Sequence, residues 1–85
     1  MKREQIRHRL SAILMDTAPD TPATYRIPLG HYTVTEAYQL PGEGIIYLQL
    51  EGESEPREFD DPEFTKRDLG HILERLQSLP RVRLR

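Results

Sequence analysis

The sequence has no cysteine, which excludes disulfides, thiolate zinc sites, iron–sulfur clusters and a cysteine nucleophile. It has no apolar run near the ~18–20 residues that cross a bilayer. Neither sign of charge dominates. Twelve Lys and Arg against 14 Asp and Glu give a formal net charge of -2, which argues against a general nucleic-acid coat or a polyanionic tail. Apolar residues are also scarce, at 36%, below the ~45–50% of an ordinary globular domain. The basic start, MKREQIRHRL, lacks the apolar stretch and small-residue cleavage site of a secretory signal. With 85 residues there is room for one core and not two. The expectation is one cytoplasmic domain over residues 1–85, without membrane contact.

What is present reads as alternating elements. Ile6, Leu10, Ile13 and Leu14 fall on one face at a period of 3.6, predicting a helix over 2–15 that Asp16 and Pro19 end. Residues 16–30 form a proline-punctuated connection. Pro19, Pro22 and Pro28 forbid a helix interior or a central strand there. Tyr25, Ile27 and Leu29 would anchor it as an ordered wrap, because large apolar groups are not left in water.

Residues 31–40 alternate, with Tyr32, Val34, Tyr38 and Leu40 on one face and Glu36 intruding among them. Pro41-Gly42-Glu43-Gly44 supplies a fixed φ and then a positive φ, which is a tight turn. Residues 45–51 return with Ile46, Leu48 and Leu50 on one face, completing a hairpin. Arg57-Glu58-Phe59 is long enough for a short third strand that buries Phe59. The second helix is predicted over 65–79. Thr65 caps it, Asp68 reaches back to the cap amide, and Phe64 and Leu69 form a hydrophobic staple. A competing start has Asp61 as cap and Pro62 at the first helical position. Leu69, Ile72, Leu73, Leu76 and Leu79 form its apolar stripe. After Pro80, Arg81-Val82-Arg83-Leu84-Arg85 alternates strictly, predicting a last strand in the sheet with Val82 and Leu84 inward.

The fold class implied is α+β: a two-layer sandwich with a mainly antiparallel sheet of three to four strands and both helices on one face, in the order α-β-β-β-α-β. So small a core is marginal alone, so a homodimer is expected, formed through a sheet edge or a helix face.

Charge is segregated along the chain. Residues 51–63 hold seven acids and one base, Arg57. The reading carried forward is a small non-enzymatic binding or regulatory module. It would present the acidic edge, with Glu51, Glu53, Glu55, Glu58, Asp60 and Asp61, to a basic protein partner, or else the Pro-rich wrap over 19–28 to a protein partner. The plainer reading of the same acids is a solvated loop and edge that resist aggregation. The spacing of a calcium loop is absent, since Gly52 precedes the cluster and Pro56 and Pro62 interrupt it. A second functional reading is nucleic-acid binding by Arg81, Arg83 and Arg85 with Lys2, Arg3, Arg7 and Arg9. The order helix, three strands, helix resembles that of double-stranded RNA-binding domains in topology. The basic block of such domains is reduced here to Lys66-Arg67, directly behind an acidic run. A third reading is an inhibitor whose carboxylates stand where a basic partner expects phosphates.

Catalytic signals are thin. Ser11, Ser54 and Ser78 lie outside any Gly-rich elbow, and His8, His31 and His71 are far apart in sequence. No cofactor is implied.

Overall fold

The computed structural model describes residues 1–19 and 26–84. The elements run α1 (Arg3–Asp16), β1 (Thr17–Pro19), β2 (Ile27–Leu29), β3 (Tyr32–Gln39), β4 (Ile46–Leu50), β5 (Arg57–Glu58), α2 (Lys66–Ser78) and β6 (Arg81–Arg83). The α+β class holds. Strands β2-β3-β4-β5 form an antiparallel sheet, and both helices lie on one of its faces.

The helices form where apolar spacing and capping predict them. In α1, Ile6 and Leu10 are buried, and Ile13 and Leu14 pack against the core. At the start of α2 the Thr65 hydroxyl accepts from the Asp68 amide at 3.1 Å. The Asp68 carboxylate accepts from the Thr65 amide at the same distance, so two otherwise orphaned donors are satisfied. This settles the start in favour of Thr65. Asp61 instead closes a small turn by accepting from the Glu63 amide at 2.9 Å. Phe64 and Leu69 are both fully buried, as a staple requires. Leu69, Ile72, Leu73 and Leu76 then meet Ile27, Val34, Ile46, Leu48 and Leu50 from the sheet in one continuous core.

The helices run in the same direction. Their N-terminal ends are joined by Arg3, whose guanidinium donates to the carbonyl of Phe64 at 2.8 Å. Beyond their C-terminal ends, the Leu84 amide donates to the Asp16 carbonyl at 3.0 Å.

Two expectations are corrected. First, the alternation of β3 changes phase. The register against β4 shifts between Val34 and Glu36, a β-bulge centred on Thr35. One extra residue on one strand reverses which side chains face inward beyond it. Val34 and Ala37 are therefore buried, while Tyr38 turns to the outer face and Leu40 lies 43% exposed. Glu36 no longer intrudes on the core, because the bulge sends it to solvent.

Second, the C-terminal strand does not join the main sheet. β6 pairs antiparallel with β1 in a separate two-stranded ribbon, Ala18 opposite Val82. The ribbon stands beyond the helix ends rather than over the core, so Val82 and Leu84 are 46% and 58% exposed instead of inward.

The connection over 16–30 contains two short strands, β1 and β2, at positions that tolerate proline. β2 is a sheet edge with Pro28 at its centre, and Pro28 has no amide to donate outward. Ile27 and Leu29 are buried as anchors, while Tyr25 lies outside the described residues. The opposite edge, β5, is two residues long. β2 and β5 are thus short edge strands, and β2 pairs with only the first three residues of β3 among the described residues. Among the described residues no helix is long and apolar enough to cross a membrane.

Candidate functional site

The acidic segment folds back on its own cations. The Arg57 guanidinium donates to the two Glu53 carboxylate oxygens at 2.9 and 2.7 Å, pairs with Glu63 at 2.8 Å and lies 3.6 Å from Asp61. It also sits 5.1 Å from the centre of the Tyr32 ring, a cation–π contact. The Tyr32 hydroxyl closes the group by donating to Glu63. These bonds hold the carboxyl of Glu63 below its ordinary range, through Tyr32 first and Arg57 second, and that of Glu53 likewise through Arg57. They raise the Arg57 guanidinium, through Glu53 and then Glu63. Glu51 is held by Arg26, which donates at 2.9 Å and lowers the Glu51 carboxyl.

Of the six acids proposed for a partner, Glu51, Glu53 and Asp61 are therefore engaged internally. Glu55, Glu58 and Asp60 remain exposed without an ion pair among the described residues. Half of the proposed acids thus already face a cation of this chain. The regular acid spacing behind the phosphate-mimic reading is likewise broken up by Arg26 and Arg57.

The basic residues are also dispersed. Arg3 is a structural tie, donating to the carbonyls of Phe64, Phe59 and Asp61 and lying 5.9 Å from the Phe59 ring centre. Arg7 donates to the Gly44 carbonyl at 3.0 Å, toward the hairpin turn. Arg81 donates to the Thr17 hydroxyl at 2.6 Å and to its carbonyl at 3.2 Å, closing the ribbon. Lys2 and Arg83 are exposed, and Arg85 lies outside the described residues. Lys2 precedes α1 and Arg83 lies beyond its far end, so the length of a 14-residue helix, roughly 21 Å, separates them. Among the described residues, the two basic groups do not come together in one patch.

What the fold does gather is a face that alternation alone hides. Among the described residues, no element covers the side of the sheet away from the helices. At its centre Tyr38 and Tyr47 face each other across β3 and β4, with ring centres 5.3 Å apart and planes inclined by 22°. Three carboxylates surround the pair. Glu36 precedes Tyr38 by two residues on the same side, Glu58 stands opposite Tyr47 in register on β5, and Glu43 accepts from the Tyr47 hydroxyl at 3.2 Å. Partial burial, and after it the charge of Glu43, raises the Tyr47 phenol above its ordinary value. No cation is paired with Glu36, Glu43 or Glu58 among the described residues. Such a face attracts positive charge and offers it aromatic surface; phosphate would be repelled.

Sequence reasoning assigned Tyr38 to the core and passed over Tyr47, Glu36 and Glu43 as a group. The available signal was Glu36 itself. A charge on the supposed inner face of a strand marks a change of phase.

The helix side offers a groove of about 660 Å³ between α2 and β2, lined by Leu29, Arg67, Asp68, His71 and Glu74 among others. It brings His71 to the rim of the helix–sheet contact, but none of its lining residues is a serine, threonine or cysteine. Among the described residues there is no group of three or more His, Asp or Glu that could hold a metal ion. No protein-family model matches the chain, and neither a curated protein nor a solved structure matches it.

Proposed function

We propose that this protein is a cytoplasmic, non-catalytic binding module that takes a basic segment of a partner protein on the open face of its sheet. One observation carries the reading: the stacked Tyr38–Tyr47 pair stands on the helix-free face, with Glu36, Glu43 and Glu58 around it. Aromatic rings give a bound segment contact area at small entropic cost, and the carboxylates set the sign of the charge it must bring. Glu58 is the residue of the 51–63 segment that belongs to this face, and exposed Glu55 and Asp60 lie near it in the chain. Steering by these charges weakens as salt rises.

The test is calorimetric titration with a twelve-residue peptide of alternating lysine and serine at low salt. Saturable binding that is lost in the double variant Glu36→Lys/Glu58→Lys supports the reading. Binding that is unchanged in that variant removes the open face as the site. The expected assembly is a homodimer through a sheet edge or a helix face, and sedimentation at micromolar concentration showing monomer mass alone sets it aside.

A further inference from the structure

We infer that the open face selects arginine over lysine: a guanidinium from an extended partner segment stacks on Tyr47 and pairs with Glu58 and Glu43. This rests on the reading above and names the chemistry that its site recognises.

The molecule already contains one solved instance of this arrangement. Arg57 lies on the Tyr32 ring at 5.1 Å while Glu53 and Glu63 take its guanidinium hydrogens at 2.7–2.9 Å. The open face presents the same set of groups, a tyrosine ring with two carboxylates beside it, contributed by different strands.

Strand order places them. β4 lies between β3 and β5, so Tyr38 covers one side of the Tyr47 ring and the other side is turned toward Glu58. Cross-strand neighbours stand about 5 Å apart at their β-carbons, within the ~6 Å over which a cation is held by an aromatic ring. Glu43 is fixed at the ring's outer end by the hydroxyl of Tyr47 at 3.2 Å. A cation on that ring thus meets carboxylates at two positions.

Shape then separates the two basic side chains. The guanidinium is planar, stacks flat on a ring and offers donors in a fork that two carboxylates can share. An ammonium is a compact, strongly hydrated point charge that gains little from the ring. The Tyr38–Tyr47 stack extends the aromatic surface, so the arginine becomes the third layer of an ordered pile. The neighbouring Glu36 is exposed on the same side, which suits an extended segment carrying arginines at alternate positions, all on one side.

The experiment titrates the full-length ¹⁵N-labelled protein with the peptide Ser-Arg-Gly-Arg-Gly-Arg-Ser, with its lysine counterpart and with its uncharged citrulline counterpart. The expected result is that the arginine peptide binds about tenfold more tightly than the lysine peptide, with shifts centred on Tyr38, Tyr47 and Glu58. The citrulline peptide should be weaker than either. Tyr47→Leu should erase the arginine preference. Glu58→Gln, an exposed and conservative change that leaves the fold intact, should do so independently. Equal affinity for the arginine and lysine peptides overturns the inference while leaving the basic-segment reading in place. No binding of either peptide at low salt overturns both.

Discussion

One sheet carries two unlike faces, and adjacent residues of β4 show the difference. Leu48 points to the helices and is completely buried, while Tyr47 beside it points away and is half-exposed. The covered face is built from aliphatic side chains of α1, β2, β3, β4 and α2, together with Phe59 and Phe64. The open face carries tyrosines, glutamates and a glutamine. The covered face accounts for stability, because apolar area withdrawn from water is the main favourable term in folding. On the open face the tyrosines are only partly buried, and the carboxylates Glu36, Glu43 and Glu58 are exposed. The comparison also separates two kinds of tyrosine. Tyr32 is consumed in an internal cluster with Arg57 and Glu63, and its phenol is raised, chiefly by the bond to Glu63. Tyr47 keeps one ring side turned outward.

The sharpest way to break this contrast is to truncate the two neighbours. Leu48→Ala opens a cavity in the covered face and should lower unfolding free energy by about 2–5 kcal/mol. Tyr47→Ala should cost about 1 kcal/mol, the scale of one aromatic pair. Urea unfolding measures both, and equal losses would show that the outer face is part of the core. A smaller effect, in the opposite direction, is expected where α2 crosses α1. A β-carbon placed on Gly70 would meet only Ile6 Cδ1, at an ordinary 4.0 Å. Gly70→Ala should therefore stabilise by about 0.5–1 kcal/mol through helix propensity. A lowered melting temperature would mean that the helices pack more closely than this spacing.

The least effect is electrostatic. Glu51, Glu53 and Glu63 have carboxyls held below their ordinary values in the folded protein. Their contribution is complete above the unfolded glutamate value of about 4.3 and is lost as pH falls from there toward the folded values. These pairs lie at the surface, partly or fully exposed to solvent screening, so the loss is modest. The urea midpoint should fall between pH 5 and pH 3, and Arg57→Met should flatten that fall. An unchanged slope in the variant would remove the Arg57 cluster from the acid response.

Local chemistry made much of the covered face legible in advance. Thr65 and Asp68 are three residues apart, and Phe64 brackets them with Leu69, so cap and staple could be read before any packing was known. Pro41 and Gly42 likewise announce the hairpin turn. In the structure Gly42 has φ 83° and the Glu43 amide donates to the Leu40 carbonyl at 3.3 Å. The open face was hidden because alternation carries a phase and nothing in it records an inserted residue. Thr35 shifts that phase, so Ala37 replaces Tyr38 inside. The partner of the last strand was hidden for a different reason. Arg81-Val82-Arg83 says that a strand forms, but pairing with β1 depends on where both helices end. Arg57 looked like a lone base in an acidic run. Its role appears only when Glu53, Asp61, Glu63 and Tyr32 are folded around it.

The sheet's two borders have a consequence for how the chain behaves in a crowd. One border is three residues with Pro28 in the middle, and the other is two residues following Pro56. Neither edge strand gives a sibling molecule more than three residues to copy, and Pro28 withholds its amide, so both are poor templates for edge-to-edge growth.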